Sequence, residues 1–349
     1  MAMADFEIIE RIPQATIIHH VEPDGSLWVT HRRKIIQRSE HGWNEISRFP
    51  FSFPRDLFGF FRPAARVFRS DKCNLYRNSQ GMLLGIRAGW VFRIVEESAS
   101  RLFPINGDCV LHGSLCEDAE GNIYFGEYFM NPERKPVRIW RVNKDLNSWQ
   151  LAANLEGIRH VHGVYPDPYV QSTFWVTVGD FAGECFFLRT SDGFKTFERF
   201  GDGSQGWRAV RLFFTEQYIC WLTDSHIEQN TACRMDRRSG ALEIGQKIDA
   251  STWYGCRTKE GQYLAFTTIE RGPAIQTDTS SVLASQDAFH WKKIHGFKKD
   301  FWKPVQLFKY GVVSCPSGEM SKEAIYLSGE GLVGLDGVSI KVRVKWEGG

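Results

Sequence analysis

The sequence has no C-x-x-C pair, no long apolar run, no low-complexity linker and almost no net charge, and each shortage closes off a class of protein. The eight cysteines fall at irregular spacings, which argues against a zinc ribbon or a redox motif. Cys109, Cys185 and Cys220 stand in apolar, strand-like runs, which suits buried thiols in a reducing compartment. No apolar stretch reaches the length that spans a bilayer. Residues 1–14 lack the charged-then-apolar order of a secretion signal, so the chain as it stands is expected in the cytoplasm, or outside the cell if a leader has been removed. The formal charge is only +2, so no overall field draws a polyanion, and one would be held by a local cluster of cations. Neither nucleic acid nor a membrane is an expected partner, and a monomer is expected.

What the sequence does have is a short pattern used many times. Aromatics at 14% and 32 glycines over 349 residues suit many short strands joined by tight turns. Residues 157–200 show the unit most clearly, with strands predicted at 158–164, 174–178, 185–189 and 196–200. Pro166-Asp167-Pro168, Gly179-Asp180 with Gly183, and Ser191-Asp192-Gly193 break the run between them. A meander this short cannot bury both of its faces. It needs copies of itself as neighbours.

Copies are present. The spacing predicts a strand over 5–12 and then seven units, at about 15–49, 64–105, 108–154, 157–200, 207–248, 250–296 and 303–345. In the first unit, strands are expected at 15–21, 26–30, 34–38 and 44–49. Residues 50–63 are aromatic and proline-broken, a loop expected to pack on one face, and 271–281 form an insertion. The fold expected is all-β, a seven-bladed β-propeller of four-stranded antiparallel blades over 1–349 as a single domain. Strand 5–12 is placed to complete the last blade. Six blades is the alternative.

The turn Thr190-Ser191-Asp192-Gly193-Phe194-Lys195-Thr196-Phe197 resembles the Asp-box, S-x-D-x-G-x-T-W, of the BNR-repeat propellers, the wider sialidase-like group. Shorter versions stand at 143–149, with Asp145 and Trp149, and at 285–291, with Asp287 and Trp291. A worn one ends at Trp43. The resemblance implies a hairpin closed by the aspartate on backbone amides, an aromatic packed between sheets, and a box on the face opposite the usual binding site.

Aligning the first strand of each unit pairs His112-Gly113 with His162-Gly163, and His19 to Asp24 with His162 to Asp167. Carried through all seven units, the equivalent positions are His19, Arg66, His112, His162, Arg208, Tyr254 and Lys303, spaced 46 to 50 residues apart. Second-strand ends, expected on the same face, supply His31, Arg87, Glu127-Tyr128, Asp180, Asp224 and Glu270. Strand interiors normally place Val, Ile or Ala at such positions. Hydrated channel lining is the plain explanation for any one of them. A set made only of imidazoles, guanidiniums, an ammonium and a phenol points to an anionic ligand.

These groups suit β-elimination on a uronic-acid polymer. That reaction needs the sugar carboxylate neutralised, a base for the C5 proton and an acid for the departing O4. The set is similar to that of the seven-bladed propeller polysaccharide lyases, the ulvan and rhamnose-glucuronate types among them, in architecture and residue types. That resemblance implies His112 and His162 as base and carboxylate partner, Tyr254 as acid, and Arg66 and Arg208 as carboxylate holders. His19, Lys303, Glu127 and His160 complete the expected contacts to an acidic oligo- or polysaccharide. His160 and His162 share a strand face, and H-x-H can hold a divalent metal with a third ligand such as His112 or Glu127, as histidine-bound metal is held in oligogalacturonate-type lyases. A role without metal is favoured here, so no cofactor is expected. Asp180 and Asp224 read as turn-closing residues. Two other functions compete. Arg11-Ile12-Pro13 with Tyr254 and Glu270 resembles parts of a sialidase-like hydrolase. A non-catalytic propeller that binds anionic glycan or protein is the third reading.

Overall fold

The computed structural model describes residues 4–346. They form seven four-stranded antiparallel sheets, the blades of an all-β, seven-bladed propeller. Six sheets take four strands consecutive in sequence. In the seventh, Val312–Ser314, Ile325–Glu330 and Val338–Trp346 are joined by Ala4–Ile12, which pairs antiparallel with Val338–Trp346.

The chain divides into two compact units. One comprises residues 4–72, 226–230 and 246–346 and holds blades one, six and seven. Ile12, Ile18, Val29, Phe266, Leu327 and Ile340 belong to its core, each no more than 2% exposed. The other comprises 73–225 and 231–245 and holds blades two, three, four and most of five. Blade four packs Val164, Val176 and Val178 against Val137 and Ile139 of blade three. Its opposite face sets Trp175 and Phe187 against Trp207 and Trp221. Burying each such side chain contributes about 1.5–3 kcal/mol, which is why the alternating strands fold only as neighbours.

In blade four the strands are Val161–Pro166, Phe174–Val178, Cys185–Thr190 and Glu198–Gly203. The middle two match the expected spans, whereas the outer two start two or three residues late. The turn after Thr190 closes as its sequence suggests. Asp192 accepts from the amides of Lys195 and Thr196 at 3.0 and 3.1 Å and from the Thr190 and Thr196 hydroxyls. Phe194, 3% exposed, stacks on Tyr124 of blade three. Asp287 does the same work, accepting from the amides of Phe289 and His290. At 143–149 the closing group is Asn143, not Asp145: its Oδ1 accepts from the amides of Asn147 and Ser148, both at 2.9 Å. Leu146, Phe194 and Ala288 share a positive φ and near-complete burial, so the common device is a left-handed residue driven into the core.

Residues 50–72 depart from expectation. They contain the short helix Arg62–Val67, and the aromatics are not packed away: Phe53, Phe60 and Phe61 are 73%, 70% and 59% exposed. A guanidinium network ties the segment down instead. Arg62 bonds Asp71 and Asp336, and Arg66, 1% exposed, pairs with Asp300. No helix among the described residues is long and apolar enough to cross a membrane.

Candidate functional site

The register of each blade decides which side chains are equivalent. In blade one Glu22 accepts from the indole of Trp28 at 2.6 Å, and in blade four Asp167 accepts from the indole of Trp175 at 2.9 Å. Asp118 likewise takes the hydroxyl of Tyr124 in blade three. These turn acids mark a corresponding place in three of the blades. Counted back from them, His19, His112 and His162 lie three, six and five residues away, so they do not occupy one equivalent position. Arg66 and Lys303 are not on first strands either: Arg66 lies in the helix Arg62–Val67 and Lys303 precedes the helix Val305–Phe308.

His162 is the extra residue of a β-bulge, since pairing with the second strand slips between Val161 and Gly163. A bulge turns a side chain away from the pleat. Here it sends the imidazole towards the end of the second strand, where Gly179 supports Asp180. Gly179 has φ +93°, and a Cβ there would collide with the Glu184 carbonyl, so only glycine delivers Asp180 to this place.

Around Asp180, within one unit, five groups meet. His162 Nε2 lies 3.2 Å from Oδ1 and His160 Nε2 3.4 Å from Oδ2. Arg159 Nη1 donates to Oδ2 at 2.7 Å, and Arg208 Nη2 to Oδ1 at 3.0 Å. Arg208 also reaches Asp224 at 3.3 Å, and its other terminal nitrogen donates to the Asp180 carbonyl. Gln205 donates to that carbonyl too. His160, His162, Asp180, Arg208 and Asp224 are all buried. Burial alone would raise the Asp180 pKa, but the positive charge beside it, that of Arg208 included, outweighs this and holds the carboxyl below its usual range. Burial lowers the His160 pKa, with Asp180 pulling the other way. Nearby Cys185 is pushed up to about 12 by burial, so it stays a protonated thiol.

The rings are held from behind. His160 Nδ1 lies 3.1 Å from the Phe129 carbonyl, and His162 Nδ1 3.1 Å from that of Ala209. The half-buried Tyr128 ring sits against His160, with centroids 4.1 Å apart. Arg159 carries the cluster outward. Its guanidinium lies over the Phe181 ring, which is 39% exposed, and beside the exposed Met130 sulfur. Arg134, paired with Glu184, covers the same ring.

The other expected site residues lie elsewhere. Glu127 is fully buried and accepts from Asn106, Trp140 and Arg138, which makes it a structural carboxylate. His112 is half-buried in the turn before Cys116–Glu117. His19 bonds the Thr30 hydroxyl at 2.8 Å. Tyr254 is packed in the apolar core of its own unit. Arg11 donates to the Gly334 carbonyl, and a cleft lined by Arg11, Pro13, Gly334, Asp336 and Val338 contains none of the expected catalytic groups. Asp180, expected only to close a turn, is the hub. The signal for it was its position: the end of a second strand, on the face where the first strand begins.

Fold and site together define a seven-bladed propeller with a buried His–His–Asp centre flanked by arginines. No family model matches the chain, and no curated protein does. Among solved structures it is similar to an oligogalacturonate lyase from Vibrio parahaemolyticus, at TM-score 0.61 and 8% identity, covering 98% of this chain and 97% of that one. It is also similar to the WD40 β-propeller domain of Doa1, at TM-score 0.57 and 9% identity over 98% of each chain. A third likeness is to YCF48 bound to a D1 peptide, at TM-score 0.55 and 10% identity over 97% and 96%. At these identities the likeness is one of fold.

Proposed function

We propose that the protein is a carbohydrate-active propeller that cleaves a uronic-acid-containing glycan by β-elimination, working from the centre around Asp180. The observation that carries this reading is the gathering of two imidazoles and two guanidiniums on one carboxylate, with Arg159 running out to a rim of Phe181 and Met130. Guanidiniums stacked on a partly exposed aromatic ring suit the carboxylate of a uronic sugar. In this role Arg159 neutralises the carboxylate. The Tyr128 side chain, lying against His160, takes the C5 proton as phenolate. The C5–H electron pair forms the C4–C5 double bond as the C4–O4 bond breaks, and the phenol so formed returns its proton to O4. Asp180 and Asp224 hold the arginines in place. The fold likeness to an oligogalacturonate lyase supports the same class.

A binding platform without catalysis is the second reading. It is favoured by the near-complete burial of His162 and by the commitment of Arg208 to two carboxylates, which leaves Arg159 as the more exposed of the two guanidiniums on Asp180. One experiment separates the two. The protein is incubated with a panel of uronate polysaccharides while the ultraviolet absorbance of an unsaturated product is followed. A lyase gives that product, and Tyr128→Phe then slows its release by ~10²–10⁴-fold. A platform gives none, yet retains uronate oligosaccharides with an affinity that falls as salt rises. A saturated reducing sugar would indicate hydrolysis instead.

A further inference from the structure

We propose that His160 Nε2, His162 Nε2 and the Asp180 carboxylate form a binding site for one divalent transition metal of the zinc, cobalt or manganese type. The proton positions follow from the partners. A backbone carbonyl can only accept, so the Phe129 and Ala209 oxygens fix a proton on each Nδ1. A ring that carries only this proton presents a bare lone pair at Nε2. Those two nitrogens are 3.1 Å apart and face the Asp180 oxygens at 3.2 and 3.4 Å. Three acceptors therefore point at one another inside the protein, and a positive centre between them resolves the conflict. One extra proton satisfies a single pair of the three. A metal ion satisfies all of them.

The spacing fits without rearrangement. Ligand atoms placed about 2.0–2.2 Å from a metal stand roughly 2.9–3.5 Å from one another in octahedral and tetrahedral sites. Two imidazoles and one carboxylate suit a borderline cation; calcium and magnesium prefer oxygen alone. The surroundings have the form that metal-binding histidines use, with each Nδ1–H anchored on a carbonyl and the carboxylate oriented by Arg159 and Arg208. Among the described residues this is the group of three such ligands that lie within reach of a single ion. With all three ligands buried, loading is expected during folding or slow opening.

The inference stands apart from the lyase reading, because its readout is spectroscopic. Full-length protein is stripped with a chelator in mild denaturant, so that the buried site opens, and returned to native buffer with Cu²⁺ or Co²⁺, one ion at a time. The expected result is one equivalent per chain, a Cu²⁺ paramagnetic-resonance spectrum split by two imidazole nitrogens, and a Co²⁺ spectrum free of thiolate charge-transfer bands. His160→Gln and His162→Gln should each lower affinity at least tenfold, while Arg134→Gln, outside the ligand set, keeps it. No binding, a thiolate spectrum, or equal binding by wild type and both histidine variants would overturn the site. The wild-type spectra decide the matter even if a variant fails to fold. Metal bound without glycan turnover would leave this inference standing and remove the lyase.

Discussion

Arg208 shows how a residue chosen for its charge can turn out to hold the structure. It lies between Asp180 and Asp224, all three buried, and replacing it by Met removes one guanidinium from each of these buried carboxylates. Breaking a buried ion pair from one side costs about 3–5 kcal/mol, so Arg208→Met should lower the unfolding free energy by that much in a urea titration. A loss below about 1 kcal/mol would mean the guanidinium is dispensable and therefore free for ligand. Tyr254 makes the opposite case. Its ring belongs to an apolar core, so Tyr254→Phe should leave any turnover unchanged, whereas Tyr128→Phe should not.

At the scale of the element, two turns make separate predictions. Gly179 sits at φ +93° against the Glu184 carbonyl. Gly179→Ala should cost more than about 2 kcal/mol, from backbone strain and collision together, and should shift Asp180 from its partners. Thermal melts would show the first effect and a changed metal stoichiometry the second. In the hairpin after Thr190, bonds from the Thr196 hydroxyl and amide hold the Asp192 carboxyl down at about 2. A depressed carboxylate adds stability that is fully present above its ordinary value of 3.8 and is lost as pH falls through about 2. The difference in Tm between wild type and Asp192→Asn should therefore shrink as the buffer is taken from neutral pH down across that window. A difference that stays constant would assign the turn's stability to Phe194 packing instead.

For the molecule as a whole, the decisive pairing is that of Ala4–Ile12 with Val338–Trp346, which supplies the fourth strand of blade seven from the opposite end of the chain. Deleting residues 1–12 should strip Ile12 from the core and expose the edge of Val338–Trp346. Loss of one such buried side chain alone costs about 2–5 kcal/mol. The truncated chain should melt earlier and aggregate, as light scattering during a thermal ramp would show. A truncation with wild-type Tm and no aggregation would show that blade seven is sound with three strands.

Local chemistry was enough to read the blades from sequence. Alternation set the strands, and glycine, proline and aspartate set the breaks, down to Asp192 closing its own turn, because each depends on neighbours within a few residues. The presence of His160 and His162 on one strand end was equally legible. Tertiary register alone decided which residues they meet. Bulges at both His19 and His162, invisible to periodicity, stand at different distances from the turn acids Glu22 and Asp167, which undid the alignment on which their equivalence rested. Arg66 matched the repeat by spacing while belonging to a helix between blades. Asp180 became a hub because Gly179 allows its backbone to turn, and because Arg159, Arg208 and two imidazoles reach it from other segments. Short-range rules fix where a strand begins and ends; which charges share a buried place is settled by packing between segments far apart in the chain.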